Sequence, residues 1–147
     1  MTGRDYVSFM LGGQSFAIPV HQVRDVLRRQ PITPVPLAPP AIVGLLNLRG
    51  RIVTAIDLRV RLGLPLRGDQ AAVTNLVVEL GGELYALIVD AAGDVLHFDD
   101  AALASLPVTL DPVWRDMVSG IFPLEQGFMV ILDIGRAIDM TACPDAA

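Results

Sequence analysis

A polar cluster interrupts the otherwise apolar first half of this chain. The stretch "NLRGRIVTAIDLR", residues 47–59, places Asn47, Arg49 and Arg51 before an apolar run that ends at Asp57 and Arg59. Such side chains could form part of an active site, a ligand clamp, or a turn between two strands. Nucleophilic or acid–base catalysis needs a reactive group beside a partner, and this stretch has no Ser, Cys or His. The cluster therefore favours a turn between two strands.

The rest of the chain offers little catalytic chemistry. His21 and His97 have no second His or Cys at metal-ligand spacing. The sequence also contains no phosphate-binding loop, nucleophile elbow or zinc signature. We therefore expect no catalytic residue, no metal and no cofactor.

A hydrolase of the aspartic-protease type is the enzymatic alternative, because two apolar runs end in Asp. The candidates are Asp90 in "LIVDAAG" and Asp133 in "VILDIGR". In those enzymes two carboxylates share a proton, and a Ser or Thr after the Asp orients the carboxylate. Ala91 and Ile134 stand there instead, which disfavours the hydrolase. Asp57 and Asp133 fit better as caps of the helical turns that follow them.

Composition indicates one globular domain over residues 1–147. Apolar residues make up 52% of the chain, which is enough for a real core. The net charge of −5 argues against nucleic-acid binding. No signal peptide and no apolar run of about 18–20 residues is present, so we expect a cytoplasmic protein without direct membrane insertion. The single cysteine, Cys143, excludes an internal disulfide.

Charge is divided unevenly along the chain. Residues 1–73 carry nine Arg against four Asp, a net charge of +5, whereas residues 74–147 carry two Arg against nine Asp and three Glu, a net charge of −10. A basic half joined to an acidic half suggests complementary surfaces that steer protein partners, or neighbouring copies of the chain, together.

The two halves of the sequence repeat each other. Segments 6–20 and 75–90 each read as two strands around a Gly-Gly turn, and they align at an offset of 69 residues. "GLLNLRGRIVTAIDLR" is echoed by "SGIFPLEQGFMVILDIGR" at an offset of 76. A duplicated unit of this size predicts two similar subdomains.

Secondary-structure signals favour small β-barrels. Five prolines in residues 31–44 exclude a helix or a central strand there and predict a rigid connector. Helices are predicted over 20–27, 57–63 and 111–118. Many short strands separated by Gly and Pro are typical of closed barrels rather than of a layered α/β fold.

Apolar residues recur with a spacing of three at equivalent places in both halves. Two interpretations remain open: the side chains plug the barrel ends, or they line a groove between the subdomains that accepts the apolar face of a helix. The residues are Val20, Val23 and Val26 in the first half and Val89, Ala92 and Val95 in the second.

Taken together, these motifs resemble the CheW-like coupling domain of bacterial chemosensory systems, from about Tyr6 to Ile138. The resemblance is carried by "FAIPVHQVRDVL", "GLLNLRGRIVTAIDLR", "ALIVDAAGDVL" and "MVILDIGRAI". It implies a mostly β fold, with two similar five-stranded SH3-like β-barrel subdomains and a few short helices. The subdomains are expected at about 15–73 and 74–133, with the terminal segments exchanged between the barrels.

The resemblance also implies a function and its partners. Members of this family are non-catalytic scaffolds that couple chemoreceptors to the histidine kinase CheA, and they are recruited from the cytoplasm to membrane receptor arrays with other CheW copies. The groove would receive the helical hairpin at the receptor's cytoplasmic tip. The face for the CheA regulatory domain would include Val43, Gly44, Arg49 and Arg51, and an Asp25–Arg49 salt bridge would brace that turn. An isolated regulatory domain of a kinase, or a ligand-binding sensor made of two barrels, is the alternative.

Overall fold

The computed structural model describes residues 3–28, 30–65, 73–99, 102–125 and 127–138, and in these ranges the chain is mostly β-strand. The strands are β1 Gly3–Leu11, β2 Gln14–Pro19, β3 Val23–Arg28, β4 Ile42–Leu48, β5 Arg51–Asp57, β6 Thr74–Leu80, β7 Glu83–Val89, β8 Ala91–Asp99, β9 Val118–Pro123 and β10 Phe128–Leu132. The helices are α1 Leu58–Arg61, α2 Pro112–Met117 and α3 Ile134–Ala137, and a 3₁₀ turn spans Val20–Gln22. Among the described residues no helix is long and apolar enough to span a membrane.

The strands form two five-stranded sheets, which confirms the predicted fold class. Sheet A has the order β8-β1-β2-β10-β9, and sheet B has the order β3-β6-β7-β5-β4. Replacing each strand of one sheet by its counterpart in the other half of the sequence converts one order into the other. The predicted duplication is therefore the basis of the fold.

Sheet membership differs from the predicted division at residues 73 and 74. Strands β6 and β7, expected in the second subdomain, pair with β3 and β5 in sheet B, and β2 pairs with β1 and β10 in sheet A. The physical reason is that the hairpin opening each repeat completes the sheet of the other repeat. Sheet B is thus continuous over residues 23–89, whereas sheet A combines residues 3–19 with residues 91–132.

Three groups of buried side chains hold the sheets. The inter-sheet core contains residues of both sheets, because alternate residues of a strand point to opposite faces. It includes Val7, Phe9, Ile18, Leu76, Val78 and Leu87. A core inside sheet B includes Leu46, Val53, Val77, Leu84 and Ala86, and a core inside sheet A includes Tyr6, Ala17, Phe122, Met129 and Ile131.

The tight turns follow their predicted chemistry. Gly12, Gly13, Gly81 and Gly82 all have positive φ, between 58° and 82°, as the favoured two-residue hairpin turn requires.

The helix predictions are confirmed at two of three places. Asp57 accepts a hydrogen bond from the N–H of Arg59 and begins α1, and Asp133 accepts one from Arg136 and begins α3. Helix α2 lies in the predicted 111–118 segment. The helix predicted over 20–27 is wrong, since the chain there makes one 3₁₀ turn and then strand β3.

A clamp centred on Asp90 joins the two sheets. In the described residues the chain passes between the sheets at two short crossovers, residues 20–22 and Asp90. Arg59 of α1 donates from Nε to Oδ1 of Asp90 at 3.0 Å and from Nη2 to Oδ2 at 2.6 Å. The N–H of Gly12, in the β1–β2 turn, also donates to Oδ2 at 2.9 Å. One carboxylate therefore holds α1 of sheet B against a hairpin of sheet A.

The clamp is partly shielded from solvent. Side-chain exposure is 15% for Arg59 and 26% for Asp90. The hydrogen bond to Asp90 raises the pKa of Arg59, because this bond and the negative charges of Asp90 and Asp57 outweigh the loss of hydration on burial. A raised pKa means that the folded state favours the protonated guanidinium, so its stabilising contribution is fully present at neutral pH and is lost only in strong alkali.

Helix α1 makes further contacts across the molecule. Arg61 donates from Nε to the carbonyl of Ala137 at 2.8 Å, which satisfies an orphan acceptor at the end of α3. Trp114 of α2 donates from Nε1 to the carbonyl of Leu62 at 2.8 Å. One helical turn thus contacts both other helices.

Gly44 is required by a close backbone approach. Thr33 of the Pro-rich connector exchanges two 2.8 Å backbone hydrogen bonds with Leu45. A Cβ on Gly44 would lie 2.2 Å from the carbonyl oxygen of Thr33. Glycine therefore lets the connector seal this edge of sheet B.

We expect Arg59→Ala to lower the free energy of unfolding by about 1–2 kcal/mol, because Asp90 would lose two charge-assisted hydrogen bonds. Urea unfolding measures this, and a double-mutant cycle with Asp90→Ala should return a coupling energy near 1 kcal/mol. Arg24→Ala is the control: Arg24 pairs with Glu79 at 2.6 Å but is 56% exposed, so the loss should stay below about 1 kcal/mol. Zero coupling between Arg59 and Asp90 would refute the clamp.

Gly44→Ala should cost about 1–3 kcal/mol, because the connector must move away from its backbone partner. The control is Gly13→Ala, which has no neighbour within 4 Å of the added Cβ and meets only the strain of its positive φ. Thermal unfolding compares the two variants. A smaller loss for Gly44→Ala than for Gly13→Ala would contradict the close approach as the dominant cost.

Candidate functional site

Two β-bulges place the valines of the predicted groove. In β3, Val23 lies opposite Val78 and Val26 opposite Leu76, so three residues of β3 span two of β6. The extra residue resets the alternation, and Val23 and Val26 share the face of Leu76 and Val78. That face belongs to the inter-sheet core. The spacing of three, which predicted a helix, is here the spacing of a bulged strand.

Strand β8 repeats the arrangement on sheet A. Ala92 lies opposite Phe9 and Val95 opposite Val7, again with one extra residue in the edge strand. Phe9 and Val7 are inter-sheet core residues. Ser8 stabilises the bulge by donating from Oγ to the carbonyl of Asp94 at 3.0 Å.

The valines therefore form a rim on both sides of the inter-sheet core. Strands β3 and β8 are the edge strands of their sheets. Val26 is 47% exposed and Val95 is 59% exposed, whereas Val23 and Ala92 are half-buried. Val20, on the first crossover, is also exposed. We call these five residues the valine rim: Val20, Val23, Val26, Ala92 and Val95.

Val89 is a correction to the predicted groove. It counts as the sequence equivalent of Val20, yet it is fully buried in the inter-sheet core. The reason is that Val89 ends β7, an inner strand paired with both β6 and β5, whereas Val20 lies on an exposed 3₁₀ turn. Its side chain is not available to a partner.

The Asn-Leu-Arg-Gly stretch forms the predicted turn, between β4 and β5. Arg49 has a φ of 52° and Gly50 a φ of 87°. Asn47 fixes the turn by accepting the N–H of Gly50 on its side-chain oxygen at 2.8 Å. In the Gly12-Gly13 and Gly81-Gly82 turns, glycine occupies both positions, so Arg49 stands where a side chain is strained by about 1–2 kcal/mol.

Asp25 and Arg49 face each other across the open side of sheet B. Nη2 of Arg49 lies 3.4 Å from Oδ2 of Asp25, so an ion pair joins β3 to the β4–β5 turn, the two opposite edges of the sheet. Oδ1 of Asp25 accepts the N–H of Val26 at 2.9 Å, which holds the carboxylate in place. Because Arg49 is 80% exposed, the pair contributes less than about 1 kcal/mol to stability. It orients the turn more than it stabilises the fold.

Sheet A is closed differently. Phe98 of β8 stacks on Phe122 of β9 with ring centroids 4.3 Å apart, and these strands are the two edges of sheet A. Tyr6 packs beside both rings. Apolar stacking thus joins the two edge strands of sheet A, whereas an ion pair joins the edges of sheet B.

A pocket of about 350 Å³ opens beneath the Asp25–Arg49 pair, and we call it the end pocket. All five strands of sheet B, or the turns beside them, contribute to its wall, so the sheet curls around it. Its lining combines three Arg and two carboxylates with an apolar floor. The residues are Arg24, Asp25, Leu48, Arg49, Arg51, Val77, Glu79 and Leu84.

The predicted kinase-facing residues are unevenly placed. Arg49 and Arg51 line the end pocket and are exposed, and Val43 on edge strand β4 is 37% exposed. Gly44 is buried beneath Thr33. Gly44 is therefore a structural position, because the connector covers it.

The carboxylates of the hydrolase alternative are engaged in structural bonds. Asp90 forms the clamp with Arg59, and Asp133 caps α3. His97 lies 2.7 Å from Asp5 across β1 and β8. Among the described residues, no group of His, Cys, Asp and Glu could hold a metal ion. Cys143 lies outside the described residues.

Sequence reasoning missed the Arg59–Asp90 clamp and most of the end pocket. Arg59 was visible as the last residue of the polar cluster, and Asp90 as a polar residue that ends the apolar run of β7. Their 31-residue separation gave no local signal that they pair. Arg24 and Glu79 were equally hidden, because they meet through the pairing of β3 with β6.

The chain was compared with known proteins. A family model described as "CheW-like domain" matches residues 5–142. The chemotaxis protein CheW of Bacillus subtilis is 31% identical over 99% of this chain and 96% of its own length. The CheW of Rhizobium meliloti is 26% identical over 90% and 85%.

A solved structure agrees with these sequence matches. The scaffolding protein TtCheW from Thermoanaerobacter tengcongensis superposes with a TM-score of 0.80 and 29% identity, over 90% of both chains. The chain belongs to the CheW-like domain family.

Proposed function

We propose that this protein is a non-catalytic chemotaxis scaffold that couples chemoreceptors to the histidine kinase CheA. The observation that carries the proposal is the valine rim: equivalent bulged edge strands present Val26 and Val95 on the two sides of one apolar core. Membership of the CheW-like family, and its relatives named as chemotaxis and scaffolding proteins, support the same role.

The rim suits the helical hairpin at a receptor's cytoplasmic tip. An amphipathic helix lays its apolar face into a groove and leaves its polar face in water. Valine side chains on edge strands have a fixed χ1, so they lose little entropy when a partner covers them. The scaffold would in this way be recruited from the cytoplasm to receptor arrays in the membrane.

The kinase would bind along edge strand β4 and the turn that follows it. Val43 on β4 supplies exposed apolar area, and Arg49 and Arg51 supply charge at the turn. The unequal charge of the two sequence halves favours head-to-tail contacts with the CheA regulatory domain and with further copies of the scaffold.

A role without catalysis is supported by the engaged carboxylates. An acid–base dyad needs two carboxylates free to share a proton, whereas Asp90 binds a guanidinium and Asp133 caps a helix. A ligand-binding sensor remains the second candidate, since the end pocket has room for a small molecule.

We expect Val26→Asp and Val95→Asp to weaken binding of a receptor cytoplasmic fragment at least about tenfold, because a charge would enter an apolar contact. Both side chains are exposed, so the free energy of unfolding should change little. Val23 is less suitable, because it packs against the inter-sheet core. Calorimetric titration with the fragment measures the affinity.

The matched control for the rim is Val108→Asp. Val108 is 91% exposed and lies in the segment before α2, outside the rim. Receptor affinity should be unchanged in this variant. Full receptor binding by both rim variants would exclude the rim as the receptor site.

The Arg49→Gly variant separates the contribution of Arg49 to stability from its contribution to kinase binding. Glycine removes the left-handed strain and the exposed ion pair together, so the free energy of unfolding should change by less than about 1 kcal/mol. Affinity for a CheA regulatory domain should nevertheless fall, because the charge is lost from the kinase-facing surface. Arg28→Gly, on an exposed position of β3 outside the pocket, is a control for charge loss alone. Equal kinase affinity of Arg49→Gly and wild type would remove Arg49 from that surface.

A further inference from the structure

The end pocket has cationic donors that the described residues do not use. Arg24 is committed to Glu79 through a 2.6 Å bond from Nε. The side chain of Arg51 has no hydrogen bond or ion pair with any described residue, although it lines the same pocket. Arg49 contacts Asp25 through one nitrogen at 3.4 Å, a long distance for an ion pair. Two guanidinium groups therefore have donors available at the pocket entrance.

The pocket floor is apolar. Val77 is fully buried and Leu84 is 5% exposed, and both belong to the core inside sheet B. Leu48 packs against the same core. A ligand that reaches this floor would bury its own apolar surface against Leu48, the half-buried residue of the floor, while its polar end stays near the two arginines.

Charge selects the class of ligand. Three Arg and two carboxylates give the lining a formal charge of +1. A single negative charge is balanced by the free guanidinium groups, whereas a dianionic phosphate would be repelled by Asp25 and Glu79. A carboxylate also matches the planar fork of Arg51, which can donate two parallel hydrogen bonds. The volume of about 350 Å³ lies in the range of small-molecule sites.

The turn geometry points in the same direction. Arg49 keeps a positive φ of 52° where two sibling turns use glycine, and Asn47 holds that conformation through Gly50. Strain that the surrounding structure maintains is commonly found where a side chain has a binding role. The residues that correspond to Arg49 and Arg51 in the second repeat are Glu125 and Gly127, so the duplication does not explain the two arginines.

We infer that the end pocket binds a monoanionic carboxylate with an apolar body, with Arg51 and Arg49 on the carboxylate and Leu48, Val77 and Leu84 around the body. Such a group occurs in free aliphatic and aromatic acids, and at the C-terminus of a peptide that ends in an apolar residue. This site goes beyond the proposed coupling function and does not depend on it.

The test titrates the isolated full chain, labelled with ¹⁵N, with 3-phenylpropanoate and with its neutral amide. The acid should shift amide signals around Arg51, Leu84 and Val77, and the amide should bind at least about tenfold more weakly. Binding of the acid should also weaken as salt is raised, because the contact is ionic. No shift at about 10 mM acid, a concentration at which even weak sites fill, overturns the inference.

Variants identify the residues. Arg51→Gln should weaken binding of the acid at least about tenfold, and Arg51→Lys should weaken it less, because lysine keeps the charge but lacks the fork. Arg28→Gln is the matched control on the same sheet and should bind like the wild type. Because Arg51 is exposed, the spectra of these variants should show an intact fold. Unchanged affinity in Arg51→Gln overturns the assignment.

A second arm separates the two sources of the carboxylate. An acetylated hexapeptide that ends in Phe, with a free C-terminal carboxylate, is titrated beside the small acid. Tighter binding of the peptide assigns the site to a protein terminus, and equal or tighter binding of the small acid assigns it to a free acid. Either result supports the site. If the wild-type chain binds neither the small acid nor the peptide but still binds the receptor fragment and CheA, this inference is overturned and the coupling function stands.

Discussion

The Arg59–Asp90 clamp is the interaction on which the relative placement of the two sheets depends. Covalently the sheets meet at a three-residue turn and at a single residue, so their relative placement is fixed by noncovalent contacts, namely the inter-sheet core and this clamp. Asp90 is that single residue, and it binds α1 on one side and the N–H of Gly12 on the other. The valine rim is built from one edge of each sheet, so its width is set by this clamp. A contact outside the rim residues thereby helps to set the distance between the two sides of the rim.

Duplication gave the two sheets the same strand order but not the same chemistry. Both repeats cap a helical turn with Asp, both bulge the edge strand, and both seal an edge with a bridge from the connecting segment, Thr33 to Leu45 in one and Ala104 to Ile121 in the other. Sheet A then closes with stacked aromatic rings, and sheet B closes with an ion pair over a charged pocket. The duplication thus gives two similar sheets, and the differences between their side chains give each sheet a distinct surface.

Much of the fold was readable from the sequence, because its signals are local. Paired glycines predict hairpin turns, Asp before a short apolar run predicts a cap, and the internal repeat predicts two like sheets. The sequence did not predict that the β1–β2 hairpin joins sheet A and the β6–β7 hairpin joins sheet B, since strand pairing is decided by packing between distant segments. Val23 and Val26 were assigned to one face through a helix, whereas a bulged strand produces the same spacing. Val89 was misplaced because equivalence in sequence carries no information about which strand lies inside a sheet.

The order in which the sheets can form follows from the segments of the chain that each sheet contains. Sheet B uses one uninterrupted stretch of chain, so all of its strands are available once residue 89 has been synthesised. Sheet A must wait for β10, and until β8 has been synthesised the strands of the β1–β2 hairpin have no partner except each other. During translation, which proceeds from the N-terminus, the earliest strands would thus be the last to be incorporated. The pocket-bearing sheet would be complete while the other is still an exposed hairpin, and Asp90 would be the residue at which the second folding step begins.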